Sequence, residues 1–188
     1  MSNGINSKVD LLLALLYAGK KEEATPIEGI TRLEKLLFLL KTEEGFLSTP
    51  SEATFNFIPF KMGPWSSEVY DEVDFLESLG LIGKESKEKQ SPADAAHDDE
   101  LFDDLVLDKY QKQSSINADE DVEIFRLTEK GKKKAKEIWD CLDNKEKEKI
   151  IFIKYKFNTM NLKQFLRYVY QKHPEYTTAS EIKDYLGI

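Results

Sequence analysis

The residues to examine first for chemistry are His97, His173 and Cys141, the chain's entire stock of imidazole and thiol. A structural or catalytic zinc needs three or four ligands of these types at short spacings. His97 stands beside Asp98, Asp99 and Glu100, which is the composition of a polar loop and not a zinc signature. His173 has no ligand at a spacing that closes a set. The expectation is therefore no metal and no cofactor. Cys141 has no histidine near it in sequence, and a thiol without a cationic neighbour is expected to be buried or idle, not a nucleophile. The carboxylate pairs Asp98-Asp99 and Asp103-Asp104 are adjacent, so on a helix their side chains diverge and make a poor acid–base pair. Gly63 and Gly80 serve as turn and stop and do not form a phosphate-binding loop. With no nucleophile–base pair, metal set or anion cradle, the chain is expected not to be an enzyme.

Charge is the more informative feature. The 188 residues carry 27 Lys and Arg against 35 Asp and Glu, a net charge of -8. Such a balance disfavours nonspecific attraction to nucleic acid. The average hides an asymmetry, because residues 126–156 hold eleven basic and six acidic side chains. The densest basic cluster is Lys130, Lys132, Lys133, Lys134 and Lys136. Helical geometry spreads these five around the circumference, which suits a solvated face. The functional alternative is a patch for phosphates or for an acidic partner. A second feature is the acidic stretch 84–121, within which Leu101, Phe102, Leu105, Val106 and Tyr110 fit an amphipathic helix over Asp99–Tyr110. Such a helix packs on its own domain or docks into a partner's groove.

The elements that would position these groups follow from local signals. Ser7 caps a first helix over Lys8–Ala18, apolar on nearly every side. Thr25-Pro26-Ile27-Glu28 has the pattern of a helix start, and Ile30, Leu33, Leu36, Leu37 and Leu40 share one face of a second helix that ends by Gly45. Thr54–Lys61 is expected to be extended. Met62-Gly63-Pro64-Trp65 is expected to turn into a third helix, with Pro64 near its first position and Val69, Val73, Leu76 and Leu79 on its apolar face. Strands at Leu81–Lys84 and Val122–Leu127 should pair antiparallel around the acidic insertion. Helices over 129–142, 144–157 and 162–172 follow, capped by Thr128 before the first and Asn161 before the last. Thr178 and Glu181 suggest a short final helix running to Leu186. Tyr168, Tyr170, Tyr176, Trp65 and Tyr70 form an aromatic surplus for core packing or for a homodimer contact. No apolar run approaches the length of a membrane span, and no signal peptide is expected, so a cytoplasmic protein is expected.

Helix, helix, helix, strand, excursion, strand, helix is the order of a winged helix. The expected fold is thus mainly α with a small antiparallel β wing. Its winged helix-turn-helix core spans 1–142, with an acidic wing insertion at about 84–121, and residues 143–188 form a C-terminal helical extension packed on that core. The segments ITRLEKLLFLL and FNFIPFKMGPWSSEVYDEVDFLESLGLI, and the later LRYVYQKHPEYTTASEI, resemble the YwgA-like and Panacea (SocA-like antitoxin) winged-helix proteins. The resemblance covers about two thirds of the chain. It rests on the Leu-rich second helix, the aromatic strand, the Gly63–Ser66 turn and the Gly80–Ile82 exit, and it implies a small regulatory or antitoxin-like role. In a DNA-binding winged helix the third helix enters the major groove. Here that helix carries Glu68, Asp71, Glu72, Asp74 and Glu77, and Met62–Gly83 contains no Lys or Arg. A duplex would repel it. The expected function is a non-catalytic regulator or adaptor that binds a protein partner. The alternative is a DNA-binding regulator using the wing and the Lys130–Lys136 patch.

Overall fold

Helix α1 (Lys8–Tyr17) begins where Ser7 Oγ accepts the Asp10 backbone N–H at 3.1 Å, and every residue from Leu11 to Ala18 is buried. The coordinates are a computed structural model describing residues 4–19, 24–43, 51–87 and 122–188.

The second helix corrects the expected start. Ile27–Glu28 forms a short strand, β1, whose Ile27 lies opposite Phe125. Gly29, at φ 81°, then turns the chain, and α2 runs only over Ile30–Thr42. Ile27 is fully buried. The strand satisfies its backbone against a distant partner, a non-local gain that the local capping pattern does not register.

Strands β2 (Ile58–Phe60) and β3 (Gly63–Trp65) make a tight antiparallel hairpin. Pro64 therefore sits in a strand and not at the head of a helix. Helix α3 (Ser67–Ser78) starts after Ser66 and buries Val69, Val73 and Leu76. Leu79, expected on the apolar face, is 41% exposed just beyond the helix end.

Strands β4 (Ile82–Lys87) and β5 (Val122–Leu127) pair antiparallel from Ile82 opposite Leu127 to Lys87 opposite Val122, as expected. The sheet order is β1-β5-β4. The expected helix over Asp99–Tyr110, with Leu101, Phe102, Leu105, Val106 and Tyr110, lies outside the described residues.

Helix α4 (Glu129–Cys141) is capped by Thr128, which accepts the Gly131 N–H at 3.0 Å. Helix α5 (Asn144–Asn158) opens with a full capping box between Asp143 and Glu146. Asn161 caps α6 (Leu162–Lys172). A 3-10 turn at Pro174–Thr177 leads to α7 (Lys183–Leu186). Thr178 and Glu181 do not form the expected box, and α7 begins after Ile182.

The described chain is mainly helical with two small antiparallel sheets. One hydrophobic cluster runs from Ile5 to Leu186 and draws on α1 to α7. Two basic side chains tie its halves together: the half-buried Arg32 donates to the carbonyls of Phe157 and Met160, and the buried Lys154 to that of Leu16. Among the described residues no helix is long and apolar enough to cross a membrane.

Candidate interaction surfaces and a pocket beside helix α5

Lys130, Lys132, Lys133, Lys134 and Lys136 are all exposed on α4, around the buried Gly131 and Ala135. Their charge is partly cancelled within the same helix. Lys132 pairs with Glu129 at 2.7 Å, Lys134 with Glu137 at 3.1 Å and Lys136 with Asp140 at 2.9 Å. Lys130 donates to the carbonyl of Leu79, at the end of α3. Exposed pairs of this kind stabilise little, but they leave a weaker field than five isolated lysines would.

Helix α3 turns Asp71, Asp74 and Glu77 to solvent together with Phe75, 49% exposed, and Leu79. Lys84 reaches Asp74 and Glu77 at 3.0 Å each, and Lys8 reaches Glu68 at 2.9 Å. Burial pushes the Lys84 ammonium down, but its hydrogen bonds to Asp74 and Glu77 outweigh that and hold it above its usual range. Glu72 is pushed above the usual carboxylate range by partial burial and by the charges of Asp71 and Glu68, against the pull of Lys8. The face as a whole is acidic around two apolar side chains.

Beneath it lies a charged node that composition does not reveal. Glu34 and Lys35 sit side by side in α2, 2% and 1% exposed, and form an ion pair. Lys35 donates onward to the Pro64 carbonyl at 2.8 Å, and Glu34 accepts the Ser66 N–H at 2.9 Å. Burial pushes the Glu34 carboxyl up, and Lys35 and Ser66 pull it back. A buried pair is tolerated only when its remaining hydrogen-bonding capacity is met. Here the Gly63–Ser66 segment meets it, so the turn that leads into α3 is pinned from below. Gly63, at φ 86°, lies against the Tyr170 ring, and a β-carbon there would stand 2.8 Å from Tyr170 Cε2. The Gly-Pro-Trp-Ser segment is thus gripped from α2 and α6 at once.

The third site is a pocket of about 270 Å³ between the end of α1 and α5, lined by Ala18, Thr25, Ile151, Lys154, Tyr155 and Asn158 among others. Lys154 is 3% exposed and donates to the carbonyls of Leu16 at 2.9 Å and Thr25 at 2.8 Å. It so closes the carboxyl end of α1, where unpaired carbonyls favour a cation. Burial brings its pKa down to about 7. Asn158 donates to Pro26 O at 2.9 Å, while its own side-chain oxygen is buried without a partner. Beside the pocket, Phe152 is 59% and Tyr155 62% exposed. The Lys156 ammonium lies 5.5 Å from the Phe152 ring centre and 4.8 Å from that of Tyr168.

Sequence reasoning singled out neither this pocket nor the Glu34–Lys35 node. The available signal for the pocket was IIFIKYKFN, which holds more apolar side chains than one buried stripe can take. The aromatic surplus is largely absorbed inside: Trp65 packs on Phe60 and Tyr70, and Tyr170 shares a hydrogen bond with Ser180. His173 packs edge-on to Phe38 and lies 3.4 Å from Thr42 Oγ1. Cys141 is exposed. Among the described residues no three His, Cys, Asp or Glu side chains are grouped to hold a metal. No family model, curated protein or solved structure matches the chain.

Proposed function

We propose that the chain is a cytoplasmic, non-catalytic winged-helix regulator or adaptor, antitoxin-like in kind, that works through contacts with a protein partner. The observation that carries this reading is the exposed side of α3. In a winged helix this is the element that would meet DNA, and it presents Asp71, Asp74 and Glu77 around Phe75 and Leu79. Each phosphate contact in a duplex calls for a cation, and α3 supplies none. An apolar pair rimmed by charge suits a protein surface instead. The second reading, a DNA-binding regulator using the wing and Lys130–Lys136, draws support from the exposure of those lysines.

A gel-shift titration against fragments of the protein's own gene neighbourhood separates the two. The proposal expects no sequence-specific complex tighter than about micromolar near physiological salt. Replacing Lys132, Lys133 and Lys134 by Glu should abolish whatever weak binding exists. Replacing Glu68, Asp71 and Glu72 by their amides should, if anything, strengthen it. A nanomolar complex weakened by changes on α3 would put the DNA-binding regulator first.

A further inference from the structure

We infer that the exposed face of α5, with the pocket beside it, is a docking site for an acidic amphipathic segment of a partner protein that inserts one apolar side chain. The inference rests on the reading that this chain works by protein contacts, but it concerns a face remote in sequence from α3. Phe152 and Tyr155 are the most exposed large apolar side chains among the described residues. They lie three apart on one helix, with Lys145, Glu148, Lys149 and Lys156 at the helical spacings that share their side. Solvated aromatics of this size cost free energy that a partner recovers by covering them.

The pocket decides what kind of ligand fits. Its volume of about 270 Å³ leaves room for one large side chain. Its exposed lining is mainly apolar, from Ala18, Ile151, Tyr155 and the Lys154 stem, with Thr25, Asn158 and Thr159 beside them. That suits a single apolar anchor delivered by a peptide, with Phe152 and Tyr155 as the walls on which the rest of the segment lies.

Charge decides the sign. Leaving aside the buried Lys154, helix α5 carries Lys145, Lys147, Lys149 and Lys156 against Glu146 and Glu148. The Lys156 ammonium is already held over aromatic rings at the edge of the patch. The molecule is acidic overall, but charges more than about 8 Å away are largely screened at physiological salt, so the local cations govern the approach. A partner carrying Glu and Asp around its anchor meets them, whereas a basic one is repelled.

The test uses the full chain and two labelled synthetic helices, each with one Trp among Leu residues, the first with Glu and the second with Lys at its polar positions. Fluorescence anisotropy should show the Glu peptide binding at least about tenfold tighter than the Lys peptide. Phe152→Ser and Tyr155→Ser should each weaken the Glu peptide by about tenfold or more, as exposed aromatic anchors do. Both side chains point largely to solvent, so the thermal melts should be unchanged. Ile151→Trp, which fills the pocket mouth, should block the peptide without removing the aromatics. Equal affinity for the two peptides, no binding, or indifference to these three substitutions would overturn the assignment. So would concentration-dependent self-association abolished by Phe152→Ser, which would give the face to a second copy. Hexanoate bound in the pocket without competing against the Glu peptide would overturn it too, by making the pocket a small-molecule site. None of these outcomes bears on the gel-shift result for α3, so the two readings can fail separately.

Discussion

Gly131 lies so close to Leu81 that a β-carbon on it would fall inside the Leu81 carbonyl oxygen. That same carbonyl accepts the Thr128 N–H at 3.0 Å, so the first turn of α4 rests directly on the entry to the β4–β5 pair. The absence of a side chain lets helix and strand backbones touch.

Gly131→Ala should therefore destabilise the protein even though alanine is the better helix former. The propensity gain is at most about 1 kcal/mol, while overpacking against rigid backbone costs about 1–3 kcal/mol or more. Gly83→Ala is the control, because nothing stands within 4 Å of its added carbon. Urea unfolding of the two variants decides the matter. A Gly131→Ala protein as stable as the parent would contradict the contact.

The Glu34–Lys35 node predicts strong non-additivity. Glu34→Gln leaves a buried ammonium without its counter-charge, and Lys35→Met leaves a buried carboxylate. Each single change should cost about 3–5 kcal/mol. The double variant should cost clearly less than the sum of the two. A double-mutant cycle by denaturant unfolding measures this, and simple additivity would show that the pair is not coupled.

Lys154 predicts the direction of a pH dependence. Its folded-state pKa of about 7 lies below the usual lysine value of 10.5. Between those values the unfolded chain holds a proton that the folded chain has released, so stability rises with pH across the window and is poorest below pH 7. The rise is at most about 1.4 kcal/mol per pH unit. Lys154→Met removes the titration along with the two hydrogen bonds. The stability of the parent relative to this variant should then increase steadily from pH 6.5 to 9.5, on the scale of about one such step per unit. A flat difference would mean that Lys154 stays charged in the fold.

Cys141 predicts ready labelling. It is exposed at the last residue of α4, so a thiol reagent should modify it fully in the folded protein at mildly alkaline pH, at the same final stoichiometry as in denaturant. Labelling that requires denaturant would place the thiol inside.

The helices that were legible in the sequence are those whose ends are settled by neighbours. Ser7, Thr128 and Asn161 each accept a backbone N–H three residues on, and that chemistry is visible in a short window. The pairing of β4 with β5 was legible because the apolar pair Leu81-Ile82 and the largely alternating run Val122–Leu127 flank a polar excursion. Local reasoning failed where a distant residue decides. Thr25-Pro26-Ile27-Glu28 has every local mark of a helix start, yet Ile27 is claimed by Phe125. Pro64 has the local mark of a first helical residue, yet Lys35 and the partner strand hold it extended. Of the surfaces, the acidity of α3 and the exposure of the α4 lysines could be read directly. The role of Glu34 and Lys35 could not, because two charges inside ITRLEKLLFLL give no sign of facing inward together. The α5 face was hidden because a segment with apolar side chains all round does not say which side the core takes.

Among the described residues strand β1 pairs with β5 alone, about a hundred residues further along the chain. The carboxyl end of α1 waits for Lys154 and the start of α2 for the Phe157 and Met160 carbonyls. During synthesis, then, the amino-terminal third emerges long before anything that completes it, and its Leu-rich helices have no finished core to enter. Loop closure of this length must precede the contacts that reward it. A growing chain of this kind keeps its Leu-rich helices exposed until β5 and α5 have been made, and over that interval misfolding competes with folding.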